Sequence, residues 1–156
     1  MTTVAGRWRQ AGHLARRFAG ALSKRPPTTG DEAWASQFLL PGESTLWKRL
    51  SNADKRHSIA VTRRFAEEMG ESSRDDMAAV LLHDVGKIVS GLGTLSRVVA
   101  TIVGPRTRRF RQYHDHESLG AELVREVGSS AETAALLAGT SGRREVIAAL
   151  HRADHV

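Results

Sequence analysis

Beyond residue 30, the spacing of the apolar residues constrains the fold more than any other feature of the sequence. Apolar side chains recur at steps of three or four, and no segment shows the sustained alternation of apolar and polar residues that is typical of a strand. Glycines or serines separate the periodic segments. We therefore predict an all-α protein that forms a single compact helical bundle. The predicted helices cover residues 31–39, 44–50, 53–69, 73–87, 95–103, 116–127, 130–138 and 142–155.

Length and composition narrow the class of protein. The chain has 156 residues, the size of one ordinary domain, and no apolar stretch approaches the roughly 20 residues that span a bilayer. Cysteine is absent, which excludes disulfides and thiolate metal ligands. Any metal ligands must therefore come from His, Asp and Glu. A reducing cytoplasm is the location that fits best.

The excess of positive charge belongs to the first 25 residues. They contain six basic residues and no acidic one, whereas the other 17 basic residues balance all 17 acidic residues. Apolar residues at helical spacing, among them Trp8 and Phe18, predict a basic amphipathic helix. This helix could pack on the domain, contact an anionic membrane peripherally through residues 4–25, or act as a cleaved transit peptide. Few aromatic residues and no nucleic-acid motif are present, so we expect no specific nucleic-acid binding.

The predicted helix 73–87 has a well-marked start and an apolar body. Ser73 and Asp76 resemble a capping box, and residues 77–82 are nearly all apolar. We expect this helix to lie in the core, with its carboxyl-terminal part carrying the polar pair that follows.

His83 and Asp84 are adjacent polar residues at the end of this apolar run. Neighbouring helical residues point about 100° apart, so both side chains reach one metal ion only if it lies beside the helix. An imidazole nitrogen and a carboxylate oxygen together suit Mn, Fe, Zn or Mg. Gly86 would allow a close approach, and Lys87, four residues after His83, would project from nearly the same face toward a phosphate.

His57 and Asp154 are two further polar residues on faces that their apolar neighbours predict to be buried. His57 lies in the middle of the predicted helix 53–69, and Asp154 lies one turn beyond Leu150 on the apolar face of the last helix. A carboxylate on such a face is costly unless a cation or hydrogen bonds compensate it. One shared metal ion would explain both residues.

The ordered set of His57, His83-Asp84 and Asp154 resembles the H...HD...D pattern of the HD-domain superfamily of metal-dependent phosphohydrolases. The resemblance covers roughly residues 52–156 and implies that these four residues bind a divalent metal ion. We therefore expect a basic helical extension over 1–25, a linker with short packing helices over 26–51 and the metal-binding helical domain over 52–156.

Two segments also resemble one large branch of that superfamily. The segment from His83 to Lys87 is close to its HDIGK form, and the segment starting at His116 is similar to its HPExGAELL stretch, with Glu117 in place of proline. The resemblance implies that His116 lies near the metal, where it is a further candidate ligand. A paired HH further along, usual in branches with two firmly bound metals, is missing here. We therefore expect one tightly bound divalent ion, which could be Mn, Fe, Mg, Co, Ni or Zn.

The resemblance implies hydrolysis of a phosphoester in a nucleotide or another small phosphorylated substrate, as a phosphomonoesterase or a phosphodiesterase, through a metal-activated water. Asp84 would act in acid/base catalysis and Lys87 would stabilise charge on the phosphoryl group. A non-catalytic or signalling metal-binding module is the alternative. The candidate substrate-binding residues are Lys87, Arg56, Arg109, Arg111 and His114.

Overall fold

Hydroxyl side chains cap the starts of several helices in the structure, a computed structural model that describes residues 24–88 and 109–155. Within 109–117 only the backbone is described. At each of these caps the side-chain oxygen accepts a hydrogen bond from the backbone N–H three residues later, which satisfies a donor that the helix itself leaves unpaired. The capping residues are Thr28, Ser51, Ser73 and Ser130.

Seven α-helices, one 3-10 helix and no strand make up the described residues, which confirms the predicted all-α class. The predicted basic helix near the start of the sequence and the predicted helix over 95–103 lie outside them. The α-helices are α1 (Thr29–Ser36), α2 (Pro41–Arg49), α3 (Asn52–Met69), α4 (Arg74–Leu81), α5 (Arg109–Glu126), α6 (Ala131–Leu137) and α7 (Arg144–Asp154), and the 3-10 helix is Val85–Ile88.

The prediction of one continuous helix over 73–87 is wrong beyond Leu81. The capping box of Ser73 and Asp76 is present, but the α-helix ends at Leu81. Residues 82–84 form turns, and the N–H of Lys87 then bonds the carbonyl of Asp84 in the tighter 3-10 pattern. His83 and Asp84 therefore lie in the bend after α4, and the helical geometry that related His83 to Lys87 does not apply.

Helix α5 begins earlier than the predicted start at residue 116. Its backbone is helical from Arg109, so His114 and His116 both lie within a helix and not in a loop ahead of one. Arg109 and Arg111 are compatible with this early start, because arginine is a good helix former and no glycine or proline occurs between Arg109 and Leu119.

One core unites all of these helices. Helix α3 packs on α4 and α7, α5 packs on α6 and on the 3-10 helix, and α6 packs on α4. Phe65, Leu81 and Val124 are among the fully buried apolar side chains, and Leu46 and Trp47 bring α2 into the same cluster. This arrangement leaves the bend after α4 between α3, α5 and α7.

A buried carboxylate ties α2 to the rest of the bundle. Glu43 has no exposed surface, and its oxygens accept hydrogen bonds from the backbone N–H of Leu40, from Arg74 and from Ser129 at 2.6–2.8 Å. These bonds compensate the burial of the charge.

Among the described helices, none combines the length and the apolar character that crossing a bilayer requires.

Candidate metal centre

Three elements bring together two histidines and a carboxylate. His57 lies on α3, His83 in the bend after α4 and Asp154 at the end of α7. Each offers one ligand atom, and these atoms all lie within 4.8 Å of one another. His57 donates a hydrogen bond from Nε2 to Oδ1 of Asp154 at 2.8 Å. The structure thus joins three of the predicted metal ligands in one cluster.

The tautomer of His83 is set by the end of α4. Its Nδ1 lies 2.7 Å from the carbonyl oxygen of Val80 and donates to it, beside the longer bond of 3.4 Å that the same oxygen accepts from the backbone N–H of His83. In a neutral ring the lone pair is then on Nε2. The bend at Leu82 allows this contact, because it lets the ring fold back against the last turn.

The Nε2 atom of His83 is buried and faces two carboxylates, and among the described residues no atom forms a hydrogen bond with it within ordinary geometry. It lies 3.5 Å from Oδ1 of Asp154 and 3.7 Å from Oδ1 of Asp84. A lone pair that faces two negative oxygens is repelled by them, and either a proton on Nε2 or a metal cation between the three atoms would remove that repulsion. Neutral imidazoles and carboxylates are also ligands that divalent transition metals accept. The residues therefore fit the metal ion that the sequence predicted.

Electrostatics at the cluster favour a positive charge. Burial alone would lower the pKa of His83, but the carboxylates of Asp84 and Asp154 outweigh it and raise that pKa above its usual value. Burial would raise the pKa of Asp154, but hydrogen bonds and charges from His57 and His83 hold it well below its usual range. The cluster therefore keeps its carboxylate ionised at neutral pH.

Asp84 and Lys87 form an ion pair at the edge of the cluster. Asp84 is buried, with Oδ1 turned toward His83 and Oδ2 meeting the ammonium of Lys87. Burial would raise the pKa of Asp84, but the charges of His83 and Lys87 outweigh it and lower that pKa. Asp84 is outside the compact three-residue group, so its predicted role as a fourth ligand remains a prediction.

The sequence of this bundle matches the family model described as HD domain over residues 56–155, more than half of the chain. The chain belongs to the HD-domain family. The matched range contains His57, His83, Asp84 and Asp154. A search of curated proteins and a search of solved structures each gave no significant match.

A cavity of about 160 Å³ opens beside the metal cluster of this HD domain. Asp84, Lys87 and Asp154 contribute to its polar part, and leucines from α6 and α7 contribute apolar surface. The described residues that line it are His83, Asp84, Gly86, Lys87, Leu136, Leu137, Gly139, Leu150, His151 and Asp154. A substrate in this cavity would therefore lie against both the predicted metal and the ammonium of Lys87.

Among the other predicted site residues, Arg56 has a described side chain. It is half-buried on α3, next to His57. Arg109, Arg111, His114 and His116 lie on α5, but their side chains are outside the described part of the structure. The predicted roles of these residues in substrate or metal binding stay predictions.

Sequence reasoning overlooked Arg64, which connects the two helices of the cluster. Its Nε donates a hydrogen bond to the carbonyl oxygen of Ala153 at 2.9 Å, directly before Asp154. Arg64 follows His57 by seven residues, which is close to two full turns and places both on one side of α3. That spacing was the available indication of its position.

Proposed function

We propose that this HD domain is a metal-dependent phosphohydrolase that acts on a small phosphorylated substrate. Water and a phosphoester would give an alcohol and a phosphate: a new bond forms between phosphorus and the oxygen of water, and the bond to the alcohol oxygen breaks. When bound, a divalent ion lowers the pKa of water and stabilises negative charge on phosphoryl oxygens.

The observation that carries the proposal is the convergence of the buried Nε2 atom of His83 with the carboxylates of Asp84 and Asp154 beside a cavity. Its lone pair points toward the carboxylates of Asp84 and Asp154, and all three residues line the cavity. Two carboxylates directed at one imidazole nitrogen attract a cation to that position, and a divalent ion can coordinate all three groups. An ion at this position supports chemistry in the cavity, because the ion and a substrate would be in contact.

Some residues of this site would bind the ion, and others would contact the substrate. His57, His83 and Asp154 would hold the ion, with Asp84 as the fourth ligand. Lys87 would bind a phosphoryl oxygen as a point charge, and Asp84 would accept a proton from the attacking water. The contact between Asp84 and Lys87 supports this division, since the ammonium favours the ionised carboxyl that a base requires.

The test is a set of phosphomonoesters and phosphodiesters, including nucleotides, offered to chelated protein after separate addition of Mn, Co, Mg, Ni and Zn. We expect one or two of these metals to restore hydrolysis of one substrate class. The His83→Ala variant is expected to lose that activity. Metal binding without turnover of any phosphoester would identify a non-catalytic metal-binding module instead.

A further inference from the structure

The cavity beside the metal cluster has two chemically different parts. His83, Asp84, Lys87 and Asp154 make one part polar, whereas Leu136, Leu137 and Leu150 give the other part an apolar wall. Each of these leucines is at most 8% exposed. The wall is therefore formed by the edges of core side chains and offers a small apolar contact area, which favours an apolar group and not a phosphate.

We propose that the leucine wall selects phosphomonoesters whose organic group is compact and apolar, about the size of one six-membered ring. The inference rests on the proposed phosphohydrolase function, because the metal cluster and Lys87 would fix the phosphate at the polar part. The organic group then lies against Leu136, Leu137 and Leu150. A hydroxyl-rich group there would lose hydrogen bonds to water and find no replacement on the leucines.

The volume of the cavity limits the size of that group. An engineered apolar cavity of about 150 Å³ in another protein holds one benzene molecule. Pockets for drug-sized ligands span roughly 300–1,000 Å³. The cavity here, about 160 Å³, is near the lower of these cases. The phosphate and the ion would occupy the polar part of this volume. The remainder therefore holds at most one ring against the leucines, and a second fused ring would extend beyond them.

The first test compares benzyl phosphate with glycerol 3-phosphate on the Mn²⁺-loaded full chain. Both are esters of primary alcohols, so their intrinsic reactivities are close, while only benzyl phosphate offers an apolar group. We expect kcat/KM to be about tenfold higher for benzyl phosphate, because burial of one ring against apolar surface stabilises its complex by a corresponding amount. Equal values, or a preference for glycerol 3-phosphate, would overturn the inference.

The second test enlarges the cavity with Leu150→Ala and offers naphthylmethyl phosphate. The kcat/KM ratio of naphthylmethyl to benzyl phosphate is expected to rise about tenfold, because the removed methyl groups make room for the second ring. A ratio of two kcat/KM values does not depend on how much of a sample is folded, so a loss of stability cannot imitate this result. An unchanged ratio would count against the leucine wall.

Two control variants separate the wall from general packing. Leu150→Met nearly conserves side-chain volume and should keep the wild-type ratio. Leu46→Ala removes a comparably buried leucine on α2 that does not line the cavity, and it should also keep that ratio while lowering stability. A rise in the ratio for Leu46→Ala equal to that for Leu150→Ala would overturn the assignment.

Binding of two non-hydrolysable phosphonates distinguishes this inference from the proposed function. Benzylphosphonate and 2,3-dihydroxypropylphosphonate would be titrated calorimetrically into the Mn²⁺-loaded chain. Tighter binding of benzylphosphonate in a protein that hydrolyses no ester would support the leucine wall and reject the phosphohydrolase. Hydrolysis of esters together with equal binding of the two phosphonates would reject the leucine wall and support the phosphohydrolase.

Discussion

The Nε2 atom of His57 lies 2.8 Å from Oδ1 of Asp154, although 97 residues separate them in the sequence. The same carboxylate oxygen lies 3.5 Å from Nε2 of His83. One oxygen atom therefore connects α3, the bend after α4 and the end of α7. The candidate metal centre and the closure of the bundle depend on the same contacts.

Replacement of His83 by alanine should abolish tight metal binding. Loss of a hydrogen-bond partner around a metal ligand typically costs 10–100-fold in affinity, so loss of a ligand itself should cost about 100-fold or more. Equilibrium dialysis with Mn²⁺, followed by measurement of the bound metal, checks this. Circular dichroism would establish that the variant keeps its helices.

The matched control is His155→Ala. His155 is exposed at the end of α7 and lies outside the three-residue group, so its removal should leave the Mn²⁺ affinity within about twofold of wild type. Retention of metal by the His83→Ala variant, or equal losses in both variants, would show that the ion binds elsewhere.

Metal affinity should rise with pH. A proton and a metal ion compete for Nε2 of His83, and the raised pKa of this residue extends that competition above its ordinary value of 6.5. Asp154, whose pKa is well below its usual range, stays ionised and does not contribute. The dissociation constant for Mn²⁺ should therefore fall up to about tenfold per pH unit and level off above the pKa of His83.

The metal-free protein should show the opposite trend in stability. The pKa of His83 is higher in the folded than in the unfolded state, so protonation of His83 stabilises the fold. This stabilisation is fully present below about pH 6.5 and is lost as the pH rises through the folded-state pKa. Urea unfolding of chelated protein at several pH values measures the free energy of unfolding.

For the metal-binding prediction, a metal dissociation constant that does not change between about pH 5.5 and 8 would contradict the assigned role of Nε2.

The sequence predicted which residues form the cluster more accurately than it predicted the backbone conformation around them. His57 and Asp154 were predicted to face inward because apolar neighbours surround them on their helices, and the structure brings them together. The periodicity over residues 77–82 was read as extending to Lys87. It could not reveal that α4 ends at Leu81, because an apolar pattern does not record where the backbone bends, and the contact of the His83 ring with the carbonyl of Val80 is visible only in the structure.

Other features that the sequence did not predict depend on contacts between distant parts of the chain. The wall formed by Leu136, Leu137 and Leu150 requires α6 and α7 to meet beside the metal cluster. Buried leucines at helical spacing predict a core in any helical protein, and nothing in their pattern distinguishes a leucine that lines a cavity. The hydrogen bond from Arg64 to Ala153 likewise depends on how α3 and α7 are placed.

Gly42 should be essential for the packing of α2 on α5. A Cβ atom at this position would overlap the carbonyl oxygen of Val127 and lie 2.9 Å from its carbonyl carbon. Because the obstacle is backbone, relief requires movement of a helix. We expect Gly42→Ala to lower the free energy of unfolding by about 2 kcal/mol and the melting temperature by about 4–8 °C.

Gly30→Ala is the matched control on α1. A Cβ atom there would meet nothing closer than the hydroxyl of Thr28 at 3.9 Å, and alanine favours a helix by about 0.5–1 kcal/mol over glycine. Thermal unfolding of the two variants should therefore shift in opposite directions. A Gly42→Ala protein as stable as wild type would mean that α2 and α5 are farther apart than the structure has them.

Arg64 should position Asp154 for metal binding. Its hydrogen bond to the carbonyl of Ala153 fixes the last turn of α7 against α3, directly beside the carboxylate. We expect Arg64→Ala to weaken Mn²⁺ binding about tenfold, the scale of effect seen for groups that orient metal ligands. Arg152→Ala is the control, because the exposed pair of Arg152 with Glu68 joins the same two helices and contributes little as a surface ion pair. Calorimetric titration with Mn²⁺ compares the two variants, and an equal loss of affinity in both would assign Arg64 to general helix packing and not to the orientation of Asp154.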